Sequence, residues 1–541
     1  MAASNIGRAG LVIAAGTLTS RLLGLIRSIV LVYAIGSIGA GANAFATASQ
    51  VPNTVYTLIA TGALTAVLVP QITKAALAAD GGARYINKLV TLAIVGSGAI
   101  MLAAAAVTPL LIHWLGASWP ADQVRLATMF AFWLLPQILF YSLYTVLGEV
   151  LNARSLFGPY AWSPVLNNVL NIAGLLVFVW FFGSDPDGRR GVEAWNVAGE
   201  ALVAGSTTLG VAVQALILFA FWRRAGLSFR ADFGFRGVGL GTMGRVAMWT
   251  FLSVLLTQAT GLFNTRVMNL AGQDEAGIAA WQLGSLIFVL PHSIITISIV
   301  TARFTRMSEN VHAGDLAAVS RDLQGSARLA ALAMMFFTVT MAVLAYPLIR
   351  LIQPSSSYEV IATVSVVLLA NLVGLVPFSL LFVFNRGFFA LSDTRTPFFI
   401  QAGQCAATVV AAVLCMGLPT GMITATITLV VSITWLVQMT VTFLLLRRRI
   451  GPVGGRSVVA GLLQNAVAAI PAAAAGVGVL VALGGISEGA FPVAGFGGAL
   501  VSCAAVTVAM GAVYAGILLL LRNPEAAALA RRATAMIPGR R

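Results

Sequence analysis

The sequence predicts an all-α polytopic membrane protein of fourteen transmembrane helices. They are expected as two parallel-repeat six-helix lobes around a central cavity, with two further helices at the C-terminus. Three observations lead there. Of 541 residues, 59% are hydrophobic and only 9% charged, a balance that water-soluble domains do not carry. The apolar residues gather into runs of about 20, long enough to cross the hydrocarbon core as helix. Lys and Arg follow the alternation of those runs.

In chain order the first six spans lie near residues 11–35, 42–70, 87–115, 123–150, 158–182 and 200–223. The next six lie near 246–271, 277–302, 327–352, 359–391, 398–418 and 421–446, and the last two near 457–484 and 492–521. The first span follows Arg8 and contains Arg21 and Arg27. It outruns a signal-peptide core and has no clear small-residue cleavage site, so it reads as a retained helix. The second span carries Pro52 and the eighth Pro291; kinks are expected at both, because proline withdraws a backbone donor. The segment 303–326 reads as an inner loop able to form an amphipathic interfacial helix. Across residues 457–521 the single charged residue is Glu488, so spans 13 and 14 suit the flanks of an apolar furrow, or a packing or dimer surface.

Placing both termini in the cytoplasm puts three quarters of the 32 Lys and Arg residues on the inner side. Arg125, Arg189, Arg190 and Arg350 fall outside, and Arg21, Arg27, Arg266 and Arg386 fall within spans. That bias fixes the expected orientation. It also accounts for the net charge of +15 without nucleic acid, since no aromatic-basic recognition face accompanies it. Cys405, Cys415 and Cys503 lie in apolar spans and read as small buried residues, with neither disulfide nor metal spacing.

Arg27 and Arg266 stand as far apart in sequence as Pro52 and Pro291, and Pro159 and Pro397 nearly so. Each pair joins spans six helices apart. Six is even, so the copies share an orientation, and a parallel repeat about the membrane normal is expected, with a substrate site between the copies. The corresponding domains are 1–224, 225–450, and 451–541 with a short basic tail.

A guanidinium stays protonated in a protein, and one at the centre of a membrane helix costs about 2.5–3.5 kcal/mol on insertion scales. Several such residues imply a wet, positively charged cavity suited to an anion. Arginine holds phosphate through paired, charge-assisted donors, so Arg21, Arg27 and Arg266 are the candidate pyrophosphate clamp. Gly24 and Ser28 share a helix face with Arg21, and Gly24 allows close approach or bending. Pro52 and Pro291 are candidate bending points, and His292 is the one intramembrane histidine able to titrate near neutral pH, although a hydrogen-bonded packing role suits it first. Arg386, nearer the cytoplasmic end of span 10, reads first as structural and second as cavity-lining. Glu149 is the single carboxylate inside a span away from the outer rim, which disfavours a cation exporter built on buried acids. No phosphate-binding loop, zinc motif or catalytic cluster stands out. The chain is therefore expected to be a transporter without cofactor or catalytic site.

The chain resembles the MurJ (MviN) family of lipid II flippases in several places. They are Ser20-Arg21-x-x-Gly24-x-x-Arg27, Asn43-Ala44-Phe45, Val51-Pro52-Asn53, and Gly62-Ala63 through Val69-Pro70. Further matches are Leu151-Asn152-Ala153-Arg154-x-x-Phe157 with Pro164-Val165-Leu166-x-Asn168, and above all Arg386-x-Phe388-Phe389-Ala390-Leu391-x-Asp393-Thr394-Arg395-Thr396-Pro397. The resemblance covers roughly residues 1–450 and implies the fold of the multidrug/oligosaccharidyl-lipid/polysaccharide exporter superfamily. It implies movement of undecaprenyl-pyrophosphate-linked peptidoglycan precursor from the inner to the outer leaflet of a bacterial cytoplasmic membrane. Lipid II and the bilayer are the implied partners, and cell-wall synthesis proteins are candidates. Arg21 and Arg27 match the family's first-helix cavity arginines. Leu286, not Arg266, stands where many members carry an arginine in the eighth helix. Many members have aspartate at Ser28 and Asn43, arginine near Tyr56 and glutamate at Thr61, so cavity charge of both signs is thinned here; Asn43, Asn53 and Tyr56 remain cavity candidates. The alternatives are a flippase for another polyprenyl-linked glycan, a multidrug exporter of the same superfamily, and a membrane scaffold for cell-wall synthesis proteins.

Overall fold

The computed structural model describes residues 2–60, 80, 82–235, 244–451 and 454–535. The matches at Thr61, Gly62, Ala63, Val69 and Pro70 lie outside the described residues, as do Lys74, Arg236, Arg540 and Arg541. Every regular element among the described residues is helical. Among the described residues, twelve helical spans are long and apolar enough to cross a membrane. Helices also stand where the second and seventh spans are expected, Ala40–Ile59 and Gly244–Met268, without reaching that measure over their described residues. The count of fourteen crossings thus stays an expectation. The chain divides into two compact units, Met1–Ala279 and Ala280–Arg541.

The first unit is built from α1 (Ala2–Ile35), α2 (Ala40–Ile59), α3 (Ala83–Leu115), α4 (Ala121–Leu134), α5 (Gln137–Ala153), α6 (Phe157–Phe182), α7 (Val197–Phe221) and α8 (Gly244–Met268). α1 lies along α6, α6 along α7, α2 along α4 and α3 along α5, while α8 packs on α2 and α3. Lipid gives no hydrophobic force between helices, so contact rests on close packing through small residues. Gly16 supplies one such contact, since a Cβ there would come 2.8 Å from the Ala161 carbonyl oxygen. Phe130 anchors the core, fully buried and edge-on to Phe45 and Trp195 with ring centroids 5.6 and 5.1 Å away. The expected fourth span runs over Ala121–Ala153, with α4 and α5 meeting at a turn over Leu135 and Pro136.

The second unit holds α9 (Ile278–His312, whose first two residues belong to the first unit), α10 (Leu316–Val343), α11 (Ala345–Ile352), α12 (Tyr358–Leu372) and α13 (Leu375–Ala390). It continues with α14 (Arg395–Cys415), α15 (Thr420–Ile450), α16 (Gly455–Ala482), α17 (Phe496–Leu520) and α18 (Pro524–Ala535). α10 packs on α13 and α16, α15 on α13 and α14, and α16 on α17. After Pro291 the α9 backbone widens into a π turn over His292–Thr296, the local answer to a missing donor. The segment 303–326 is no separate interfacial helix. α9 runs on to His312, and Asp315 caps α10 by accepting from the Ala318 N–H at 2.8 Å. Cys405 and Cys415 are buried, Cys503 is half-buried, and none is disulfide-bonded.

Candidate functional site

α5 organises the arginine site. Its residues Tyr141, Tyr144, Thr145, Glu149 and Asn152 recur at helical spacing and form a polar stripe inside an apolar span. Tyr160 of α6 stacks on Tyr144 with centroids 4.9 Å apart. Gly148 makes room for it, since a Cβ there would meet the Tyr160 ring at 2.2 Å. The Tyr56 hydroxyl of α2 pairs with Thr145 Oγ1 at 3.0 Å, and its ring lies 5.0 Å from Tyr141.

Both first-helix arginines address this stripe. Arg27, half-buried, lies within electrostatic reach of Tyr141. Arg21, exposed, lines a cavity of about 490 Å³ with Thr17, Ser20, Tyr144, Asn152 and Tyr160. Among the described residues neither arginine has an ion-pair partner. Glu149 is half-buried and within electrostatic reach of Tyr160. The stripe therefore presents two guanidiniums, phenol and hydroxyl donors, and one carboxylate at its margin. Such a set accepts a phosphorylated anion through charge-assisted bonds.

The other candidates divide sharply. Gly24 faces α6, where a Cβ would touch the Asn168 amide at 3.9 Å. Asn168 Nδ2 donates to the Ser20 carbonyl at 3.0 Å, so this face joins helices. Ser28 Oγ donates back to the Gly24 carbonyl at 3.1 Å. Asn43 is buried and accepts the Ala279 N–H at 3.1 Å. Pro52 is buried within a continuous α2, whereas Asn53 is exposed and its carbonyl accepts from Thr57 Oγ1 at 2.7 Å.

Arg266 sits in the last turn of α8. It donates to the Trp114 carbonyl and holds its guanidinium 5.1 Å from that ring. Asn269 Nδ2 adds bonds of 3.1 Å to the Leu115 carbonyl and to Thr47. The partners of Arg266 are thus the C-terminal turn of α3, where carbonyls favour a cation, and not the stripe on α5.

In the second unit, His292 follows Pro291 at the π turn and is buried, with Nδ1 2.8 Å from Ser379 Oγ and its ring edge-on to Phe382 at 5.3 Å. That is the hydrogen-bonded packing role. Arg386 lies among Phe382, Phe304 and Phe389, at 4.7, 5.3 and 6.0 Å from their centroids, a cation held on aromatic faces. An apolar furrow of about 520 Å³ is lined by Val339 and Ala342 of α10 and by Ala473, Val477 and Val481 of α16. Span 13, as α16, lines this furrow, and it packs directly on α17 at Gly476, where a Cβ would come 2.5 Å from Met510 Sδ.

The tyrosines of the stripe are what sequence reading missed. Their signal was the i, i+3, i+4 recurrence of Tyr, Thr, Glu and Asn inside an apolar run.

The family model described as "Lipid II flippase MurJ" matches residues 31–491. The chain belongs to this family. Among curated relatives, the "Probable lipid II flippase MurJ" of Rhizobium meliloti (strain 1021) is 27% identical over 392 residues, 70% of each chain. That of Vibrio cholerae serotype O1 is 24% identical over 409 residues, 72% of this chain and 74% of its own. The fold matches a solved lipid II flippase MurJ in an inward closed conformation, with TM-score 0.69 and 16% identity, covering 94% of this chain and 100% of that one. It also matches an inward-facing multidrug resistance MATE family transporter of the MOP superfamily, with TM-score 0.58 and 15% identity, over 82% and 99% of the two chains. The fold is thus that of these transporters, and the protein is a multi-pass membrane protein of the MurJ family.

Proposed function

We propose that this chain is a lipid II flippase. It carries undecaprenyl-pyrophosphate-linked peptidoglycan precursor from the inner to the outer leaflet of the bacterial cytoplasmic membrane by alternating access, with both termini in the cytoplasm. The carrying observation is the pair Arg21 and Arg27 facing one tyrosine-lined stripe with no ion-pair partner among the described residues. Membership of the family supports the substrate class.

The physical sequence is simple. The diphosphate headgroup enters from the cytoplasmic leaflet and replaces water around the two guanidiniums, each forming charge-assisted bonds to phosphate oxygens. Tyr141 offers its hydroxyl to the remaining oxygens or to the sugars, while Tyr144 donates to the Tyr160 carbonyl and Tyr56 to Thr145 in this state. The apolar walls of the furrow between α10 and α16 suit an acyl or prenyl chain. The lobes 1–224 and 225–450 rock to open outward, and 451–541 stays attached to the second. Outward movement of one negative charge across an inside-negative membrane is helped by about 2.3 kcal/mol per 100 mV. No bond in the substrate is made or broken. Arg266 serves the α3–α8 contact in this state and joins the clamp only where another state releases it from Trp114.

The decisive test is complementation. Arg27→Ala should fail to rescue a strain depleted of its own flippase while still accumulating in the membrane, and its affinity for the pyrophosphate lipid should fall about 10- to 100-fold, as expected for losing a charged hydrogen-bond donor. Full rescue by Arg27→Ala overturns the clamp. Native mass spectrometry of the purified protein reads the glycan: a co-purifying lipid-linked muropeptide supports the substrate, and another polyprenyl glycan in its place replaces it.

A further inference from the structure

The cavity between α1, α5 and α6 offers more than the charge of Arg21. It lies where α5 finishes at Ala153 and α6 starts at Phe157, the end that faces the cytoplasm in the orientation proposed above. Its volume of about 490 Å³ suits a small-molecule site, for which about 300–1,000 Å³ is usual. A phosphate group asks a wall for donors alone. This wall is built of other groups as well.

One side is aromatic, lined by Tyr144, Phe157 and Tyr160. Gly148 makes the room that seats Tyr160, and the ring stacks on Tyr144 with centroids 4.9 Å apart. The Tyr144 hydroxyl donates to the Tyr160 carbonyl at 3.3 Å, so the two rings are held as a platform before a ligand arrives. The face of an aromatic ring is electron-rich. It attracts the polarised C–H groups on the flat side of a pyranose and gives nothing to a phosphate.

The other side is polar. Thr17 is exposed and Asn152 half-buried, and among the described residues neither side chain makes a hydrogen bond. Asn152 brings an amide that both donates and accepts, and Thr17 a hydroxyl that does either. No carboxylate lines the cavity. Sugar hydroxyls and an acetamido group need such mixed partners, whereas phosphate oxygens, being acceptors, leave the Asn152 carbonyl unused.

We propose that this cavity holds one acetamido-sugar ring of the substrate, the ring joined to the diphosphate. Tyr144 and Tyr160 lie against its face, Asn152 and Thr17 bind its polar groups, and Arg21 takes the adjoining phosphate. The proposal rests on the flippase reading and refines it: the arginines select a diphosphate lipid, and the cavity selects what that diphosphate carries.

The test titrates the full chain in detergent micelles with two synthetic lipids, read by native mass spectrometry. One is undecaprenyl diphosphate. The other carries a single N-acetylglucosamine on the diphosphate and no peptide, so the two differ by the sugar alone. The wild type should bind the sugar-bearing lipid about tenfold tighter, the size of one or two neutral hydrogen bonds with a ring contact. Asn152→Leu and Tyr160→Leu should each cut that ratio to about threefold or less, and Tyr160→Phe, which keeps the ring, should hold it near the wild-type value. A ratio measured on one variant does not depend on how much of that variant is folded. Arg27→Ala should weaken both lipids by the same factor and leave the ratio unchanged. Equal binding of the two lipids by the wild type, or a ratio that survives both leucine variants, overturns the sugar site while the flippase reading stands. Binding of neither lipid by the wild type overturns the flippase reading, and the sugar site with it.

Discussion

Arg27 and Tyr141 carry the residue-scale argument, because each alters what the other can do. Arg27 lies within electrostatic reach of the Tyr141 phenol. Tyr141→Phe removes the hydroxyl and leaves the ring against Tyr56. It should therefore weaken substrate binding by a single neutral hydrogen bond, about 0.5–1.5 kcal/mol, read as a severalfold rise in the apparent dissociation constant, with complementation retained. Arg27→Lys should fall between wild type and Arg27→Ala, because an ammonium keeps the charge but loses the planar fork that grips two phosphate oxygens. Equal loss in the lysine and alanine variants shows that fork geometry, not charge, decides. Arg21 and Arg27 were legible in the sequence as charges inside an apolar span. Their shared partner on α5 was not, because tyrosines in a membrane span read as ordinary apolar filling until a second helix places them opposite a cation.

At the scale of elements, the ends of helices decide where this chain turns. Asp315 is the clearest case. The cap it gives α10 converts an expected loop into two helices meeting at a tight turn. Asp315→Ala should cost about 1 kcal/mol, measured as earlier loss of helicity on heating in detergent. The last helix is fixed differently. Asn523 Oδ1 accepts the N–H groups of Glu525 and Ala526, both at 3.1 Å, and its Nδ2 donates to Gln464 at 2.9 Å. Glu525 then pairs with Arg328 of α10 at 2.6 Å, and Arg328 also donates to Ser457 at 2.6 Å. α18 is in this way tied to α10 and α16. Glu525→Ala leaves the half-buried Arg328 without its carboxylate and should release α18, seen as rapid proteolysis near residue 524 while the spans stay protected. The sequence showed where apolar runs begin and end, but not the ties of Asn523 to Gln464, of Glu525 to Arg328 and of Arg328 to Ser457, since each joins residues more than fifty positions apart.

For the whole molecule, the pattern of apolar runs and basic loops was sufficient to reach the class of fold before any coordinates. Helices occupy the expected positions, with corrections at the breaks within the expected fourth, ninth and tenth spans, near Pro136, Leu344 and Gly374, and in the long α9 and α10, while an apolar furrow forms between α10 and α16. Those corrections share one cause. Hydropathy reports which segments leave water and is silent on which neighbours they meet in lipid, where small residues such as Gly476 choose the contact. Arg266 illustrates the same limit: its place in an apolar run suggested a ligand, and the Trp114 carbonyl of another helix gave it a partner. Arg266→Ala should consequently lower thermal stability in detergent more than it lowers substrate affinity. The reverse ranking returns it to the clamp.

The burial of Cys405 and Cys415, with Cys503 half-covered within α17, makes the native chain an almost silent background for thiol chemistry. A membrane-impermeant maleimide applied to intact cells should leave the wild type unmarked. A cysteine introduced at Asp187 should label from the outside, and one at Arg448 only after the cells are opened. Two such single-site reporters settle the handedness of insertion without any purification, and labelling of the Arg448 position from outside reverses the assignment of both termini.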